Sequence, residues 1–233
     1  MTIEASDLSV RGVLESSTLL NALTEEQIQK LAGVCRLKQS DRGEPIWLSG
    51  ADASFIGLVG SGFVKLVQSN SSGVDMTQEV MGPGQIFGLL GMIAGTGCPL
   101  MAYGLTNTVY LKIPKQAFQQ IYDDNNIFKD RLIRRTAIRM HQKLDFMAKL
   151  STGRAEERIA AILFILAESY GIEENKTLRL TVPLTRQAIG EMAGTTTETT
   201  IRVLSVWDKA GIVKTEHHFI TILDPDQLET RLR

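Results

Sequence analysis

The sequence predicts an α+β protein with three parts: an N-terminal antiparallel β-roll of the jelly-roll type, a long helix, and a C-terminal winged helix-turn-helix. Most of the 20 glycines lie between Gly43 and Gly104, among short apolar segments, which is typical of a compact antiparallel sandwich or barrel. After Pro114 the spacing of apolar residues changes to about 3.6, the helical period. From Leu184 to Leu223 the pattern is helix, turn, helix and hairpin.

The composition is that of a globular protein and excludes several classes. The chain has 233 residues and a mass of 25.7 kDa, enough for two modest domains. With 43% hydrophobic and 22% charged residues it can form cores, which excludes a disordered tail, a collagen-like repeat and a disulfide-stapled miniprotein. Lys and Arg number 25 against 26 Asp and Glu, a net charge of −1, so any nucleic-acid site must be a local patch.

Cysteine use and hydropathy bear on the compartment. Cys35 and Cys98 are the two cysteines, too few for a metal or disulfide framework, and they fit a reducing environment. The longest strongly apolar run, Ile159 to Ala167, is far shorter than the roughly 20 residues that cross a bilayer. The N-terminus carries Glu4 and Asp7 and lacks the pattern of a signal peptide. We expect a cytoplasmic protein with no membrane partner.

Turn and cap patterns locate several boundaries. Thr24 to Gln27 forms a capping-box pattern that begins a short helix, and Asn70 to Gly73 is typical of a hairpin loop. Ser151 to Gly153 interrupts the helical pattern. The predicted domains are residues 1–114 for the β-roll, 115–150 for the long helix and 151–233 for the winged helix.

The long helix carries an apolar stripe. From Ile127 to Leu150 the chain contains no Gly or Pro, and its apolar residues follow a heptad pattern, which is typical of two helices packed lengthwise. We predict a homodimer whose interface contains Ile133, Ala137, Met140, Leu144 and Met147. Packing of the stripe on the protein's own sandwich is the alternative. The many basic residues of this segment are typical of a solvated helix face.

The C-terminal segment predicts two short helices and a wing. Thr185 caps a helix through Met192, Gly194 supplies the sharp turn, and Thr195 or Thr196 caps the second helix. We expect the inner face of the second helix to consist of Ile201, Leu204 and Trp207. A hairpin with its tip at residues 216–218 completes the winged helix.

The start of the second helix carries the candidate recognition residues. Thr197, Glu198 and Arg202 are expected to project outward. An arginine can donate two hydrogen bonds to a guanine edge, and a carboxylate can accept one from the amino group of cytosine. Two structural alternatives remain open: an ion pair between Glu198 and Arg202, and a capping box of Glu198 with Thr195.

Several motifs in order resemble one family. The run from Pro183 to Gly194 resembles the DNA-binding domain of the CRP/FNR family of bacterial transcription regulators, and residues 152–160 resemble the first helix of that domain. Residues 43–46, 60–66 and 82–88 resemble the family's β-roll motifs. The resemblance covers nearly the whole chain. It implies a cyclic-nucleotide-binding-like roll that senses an effector, a dimerisation helix and a winged helix, in a regulator that is not an enzyme.

The resemblance also implies site residues and partners. Glu198 and Arg202 match the family's base-contacting pair, so the expected DNA site is a palindrome with a TGA…TCA core. Thr197 stands where some members carry an arginine. RNA polymerase is the further partner. The predicted DNA-binding residues are Arg186, Thr196, Thr197, Glu198, Thr200, Arg202 and His217.

The effector region departs from the cyclic-AMP-binding members of the family. Those members carry a Glu shortly after Phe-Gly and an Arg-Ser pair that holds the phosphate. Here Leu89 follows Phe87-Gly88, and no basic residue occurs between Val80 and Tyr110. Because a partly buried phosphate needs a counter-charge, we predict that cyclic AMP is not the effector. The predicted pocket consists of Phe87, Gly88, Leu89, Leu90, Cys98, Met101 and Arg135.

The effector's identity is left open by the residues. The alternatives are a packed region without ligand, an uncharged or haem-like ligand, and an anion held by Arg135 or Arg139. An iron–sulfur cluster of the FNR type needs four thiolates, more than the chain has. Cys98 is either a redox sensor or an inert buried thiol, and His141 is either a haem ligand or solvated. A cupin-type metal enzyme is excluded, because all three histidines lie outside the glycine-rich region.

Overall fold

The computed structural model describes residues 8–52, 54–69 and 75–232. These residues form two compact units. The first contains residues 8–52, 54–69 and 78–139, and the second contains residues 75–77 and 140–232. Among the described helices, none is long and apolar enough to cross a membrane. The hairpin loop predicted at residues 70–73 lies outside the described residues.

The first unit is mainly β-structure. Its strands are β1 (Arg36–Ser40), β2 (Pro45–Trp47), β3 (Phe55–Ser61), β4 (Val64–Ser69), β5 (Asp75–Met81), β6 (Ile86–Phe87), β7 (Met101–Gly104) and β8 (Thr108–Pro114), with β5 beginning in the second unit. Its helices are α1 (Val10–Glu15), α2 (Glu25–Val34), α3 (Leu89–Ala94), α4 (Lys115–Asp124) and the beginning of α5 (Asn126–Thr152). The capping box at Thr24 is confirmed: its hydroxyl accepts from the Gln27 amide, and the Gln27 side chain accepts from the Thr24 amide.

Two four-stranded sheets form the β-roll. Their strand orders are β1-β8-β3-β6 and β2-β7-β4-β5. The pairing of β3 with β8 is antiparallel and runs from Phe55 opposite Pro114 to Ser61 opposite Val109. Apolar residues of both sheets and of α1, α2 and α4 are buried in one core. This arrangement confirms the predicted antiparallel roll.

A glycine gives the core room for an aromatic ring. Phe87 is buried, and a Cβ added to Gly57 would overlap its ring. The indole of Trp47 stacks on Phe87 with the ring centroids 5.1 Å apart. Aromatic side chains of β2 and β6 therefore fill the space that Gly57 of β3 leaves open.

The segment predicted as one helix over residues 115–150 contains two, α4 and α5. Asn125 separates them in an extended conformation, with φ −122° and ψ 100°. Its side-chain oxygen accepts from the Phe128 amide at 2.9 Å, while its amide nitrogen donates to the Ala22 carbonyl and to Gln27. The bond with Phe128 caps the first turn of α5, and the bond with Gln27 ties this helix start to α2. These contacts stabilise the break between α4 and α5.

The second unit contains the end of α5 and a winged helix. Its helices are α6 (Ala155–Tyr170), α7 (Arg186–Met192), α8 (Thr197–Lys209) and α9 (Pro225–Glu229), and its sheet order is β11-β12-β10-β9. The strands are β9 (Gly171–Glu174), β10 (Thr177–Leu180), β11 (Val213–Glu216) and β12 (Phe219–Ile222). Buried residues of α6, α7 and α8 form the core. The winged helix-turn-helix is thus confirmed.

Candidate nucleic-acid interface and effector region

The turn between α7 and α8 sets the direction of the second helix. Gly194 adopts φ +59°, a left-handed conformation that favours glycine. Thr196 then caps α8, its hydroxyl accepting from the Thr199 amide at 3.2 Å. Of the two predicted caps, Thr196 is therefore the one used. Since Thr199 occupies the third helical position, the capping box of Glu198 with Thr195 does not form.

The inner face of α8 differs from the prediction at three positions, Thr200, Ile201 and Val203. Thr200, Val203, Leu204 and Trp207 are buried, whereas Ile201 is 49% exposed. Thr200 was predicted to face DNA, but it is fully buried. Its hydroxyl donates to the Thr196 carbonyl, 3.0 Å away, and this hydroxyl also packs closely against Gly190. Leu204 and Trp207 thus face inward as predicted, Thr200 and Val203 join them, and Ile201 belongs to the outer face.

Glu198 and Arg202 lie on the exposed side of α8, together with Ser205. Among the described residues, no ion pair joins Glu198 to Arg202. Thr197 is half-buried, at the edge of this face. Both charged groups are therefore available to a partner, which disfavours the structural alternatives for this pair.

A shallow groove of about 340 Å³ runs between α8 and the wing. Arg186, at the start of α7, donates from Nη2 to the Thr215 hydroxyl at 2.7 Å, and that hydroxyl donates to Asp208 at 3.3 Å. These bonds join α7, α8 and β11. His217 lies at the wing tip with φ +46° and is exposed. The groove is lined by Arg186, Ile201, Leu204, Ser205, Asp208, Lys209 and Thr215.

One arginine holds the turn and was not found from the sequence. Arg158 on α6 donates from Nε to the Ala193 carbonyl at 2.7 Å and from Nη2 to the Gly194 carbonyl at 3.1 Å. Its Nη1 donates to the Gly153 carbonyl at 2.7 Å. The guanidinium thus satisfies carbonyls left unpaired at the end of α7, where a cation is also favoured by the helix dipole. An arginine in an amphipathic helix gives no sequence signal for this role.

The predicted pocket residues of the first unit differ widely in burial. Phe87 and Cys98 are buried, Gly88 has φ +90°, and Leu90 on α3 is 60% exposed. Leu89 and Met101 are half-buried. Trp47, which the sequence interpretation did not include, donates from its indole N–H to the Leu100 carbonyl at 2.8 Å and stacks on Phe87.

The two arginines that were candidates for an anion both have protein contacts. Arg135 donates to the Thr18 hydroxyl at 3.2 Å. Arg139 forms a partly buried ion pair with Glu79 of β5 and also approaches the Met81 sulfur. The charge of Arg139 is therefore already neutralised by a carboxylate.

Burial determines the chemistry of the cysteines. Burial raises the pKa of the Cys35 thiol to about 11. The pKa of Cys98 is also raised, first by burial and then by the negative charge of Asp52. Because the thiolate is the reactive form, these surroundings favour inert thiols over a redox sensor.

The predicted dimer residues share one exposed stripe of α5. Ile133, Ala137, Leu144 and both methionines of the stripe are exposed, with Met140 at 62%. Leu132, on another face of the helix, is buried in the core of the first unit. The stripe is thus not used by that core, contrary to the alternative of packing on the protein's own sandwich.

The class of protein is defined by this combination: a β-roll joined through a long helix to a winged helix that exposes a Glu and an Arg. The family model for the cyclic nucleotide-binding domain matches residues 37–125, and the model for the Crp-like helix-turn-helix domain matches residues 157–231. The chain belongs to the CRP/FNR family of DNA-binding transcription regulators. It is accordingly a regulator and not an enzyme.

Relatives and solved structures agree with this assignment. The chain is 25% identical over 192 residues to the CRP-like cAMP-activated global transcriptional regulator of Mycobacterium tuberculosis, covering 82% of this chain and 86% of that protein. It is 25% identical over 226 residues to electron transport regulator A of Shewanella oneidensis, covering 97% and 89%. The structure of FixK2 from Bradyrhizobium japonicum has a similar fold, with a TM-score of 0.76, 22% identity, and coverage of 84% and 96%.

Proposed function

We propose that the protein is a homodimer that binds a palindromic DNA site through two copies of α8. The observation that carries this proposal is the exposed face of α8, where Glu198 and Arg202 stand one helical turn apart without an ion pair between them, directly after the helix-turn-helix turn. Arg202 would donate to a guanine edge and Glu198 would accept from a cytosine amino group. A site with a TGA…TCA core accommodates both contacts, and RNA polymerase is the expected partner in transcription.

Dimerisation is supported by the exposed stripe of α5. Large apolar side chains such as Ile133, Met140 and Leu144 cost free energy in water, and a second α5 offers an apolar surface of the same shape. A two-fold dimer would place the recognition helices roughly 34–36 Å apart, one turn of DNA. The two-fold symmetry makes the proposed site palindromic, and the spacing sets the separation of its half-sites.

The effector of this regulator is proposed not to be cyclic AMP. The relative in M. tuberculosis is named as cAMP-activated, but this chain has no basic residue between Val80 and Tyr110. Trp47 and Phe87 stack beside α3, and Arg139 is already paired with Glu79. An uncharged or haem-like ligand, or regulation without a ligand, fits these surroundings better. An effector would act by shifting the population in which both α8 helices fit the major groove.

Selection from a random-sequence duplex pool tests the proposal. The wild type should enrich a palindrome, and Arg202→Ala should lose preference at one G·C pair in each half-site, where each good contact contributes about 1–3 kcal/mol. Unchanged selection by Arg202→Ala refutes the assigned role. In parallel, calorimetric titration with cyclic AMP should give no saturable heat, and a micromolar isotherm overturns the effector argument.

A further inference from the structure

Ile201 is an apolar side chain on the exposed face of α8, between the polar residues Glu198 and Ser205. It follows Glu198 by three residues and precedes Ser205 by four, so the three side chains are neighbours on the helix surface. It is 49% exposed, although Val203 and Leu204 on the same helix are almost fully buried. The core of the second unit therefore does not account for the apolar character of this residue.

The surroundings of Ile201 indicate what would cover it. The groove that it lines also contains Arg186 and Lys209, two cations of the kind that attract phosphate groups, against the single carboxylate of Asp208. Its neighbour Arg202 carries the charge proposed to contact a guanine. A nucleic-acid strand held by these groups would bring base edges, not a protein surface, against Ile201.

Only one base edge offers an apolar group in the major groove. Thymine carries a 5-methyl group there, whereas the other bases present hydrogen-bond donors and acceptors. We propose that Ile201 is a specificity-determining residue that contacts the methyl group of a thymine next to the base pair recognised by Arg202. This inference rests on the proposed DNA-binding face of α8.

Deoxyuridine substitution tests the contact, because it removes the methyl group and leaves base pairing unchanged. In the palindrome selected by the wild type, each thymine of the half-site is replaced symmetrically by deoxyuridine, and the Kd is measured by fluorescence anisotropy at fixed salt. We expect one position where affinity falls about fourfold per half-site, the effect of burying one methyl group, or about 15-fold for the whole duplex. Ile201→Ala should abolish this sensitivity.

Val206 provides a matched control variant. It is a β-branched apolar residue of α8 with 56% exposure, but it lies roughly 140° around the helix from Ile201. Val206→Ala should retain the wild-type response to deoxyuridine. Both variants should keep the wild-type circular dichroism, since each replaces an exposed side chain by a strong helix former.

The outcomes separate this inference from the proposed function. If the wild type selects a palindrome but no thymine-to-deoxyuridine change weakens binding, or if Ile201→Ala stays as sensitive as the wild type, the methyl contact is refuted while the proposed function stands. If the wild type selects no sequence, or Arg202→Ala selects the same one, the proposed function itself is refuted.

Discussion

Replacing Arg158 by alanine would remove three hydrogen bonds at once, those to the carbonyls of Gly153, Ala193 and Gly194. A hydrogen bond to a charged group contributes about 1.5–3 kcal/mol, so three fully buried ones would sum to about 4.5–9 kcal/mol. The guanidinium is only partly buried, so water can replace some of these contacts. We expect Arg158→Ala to lower the unfolding free energy of the second unit by about 2–4 kcal/mol.

Urea denaturation followed by tryptophan fluorescence measures this loss. Trp207 is buried in the second unit, and a Trp47→Phe background leaves it as the sole reporter. Arg158→Lys, which cannot donate in the same fork, should fall between alanine and the wild type. Arg154→Gln is the control, because Arg154 is exposed and makes no side-chain cap bond. A loss below about 0.5 kcal/mol for Arg158→Ala would show that the turn does not depend on this side chain.

Three further changes test other parts of the molecule. Met140→Glu should yield a monomer in sedimentation velocity, because it places a charge in the proposed apolar interface. The control Gln142→Glu should remain dimeric, and a dimeric Met140→Glu variant would exclude this interface. Gly57→Ala should destabilise the first unit by about 1–3 kcal/mol, because the added methyl group overlaps the Phe87 ring. The control Gly33→Ala has open space around it and should not destabilise the unit, so equal melting curves for the two variants would contradict this expectation. Glu79→Gln should cost about 1–3 kcal/mol by leaving Arg139 without its carboxylate, and unchanged urea denaturation would refute the importance of that pair.

Much of the fold was predictable because local signals agreed with the tertiary arrangement. The capping box at Thr24, the turn at Gly194 and the inward Trp207 depend on neighbours in the sequence, and each is found as predicted. The break at Asn125 was missed because its partners, Ala22 and Gln27, lie about a hundred residues away in the chain. A sequence pattern cannot show such a distant cap.

The candidate site was predictable in part for a related reason. Helical spacing placed Glu198 and Arg202 on one face, but it could not decide between Thr200 and Ile201 for the inner position. The bond from the Thr200 hydroxyl to the Thr196 carbonyl and the close packing on Gly190 decide that choice. Hydrophobicity alone favoured isoleucine, so the apolar residue that faces outward was assigned inward.

The two buried thiols have a practical consequence. Both Cys35 and Cys98 lie in the first unit, and the second unit contains no cysteine. A thiol-specific dye added to the native protein would therefore react only when the β-roll transiently opens. Opening of the winged helix exposes no thiol and does not change the labelling rate. The labelling rate therefore measures the opening rate of the β-roll alone. A small molecule that slows the labelling can be identified as a ligand of the β-roll even when the target genes are not known.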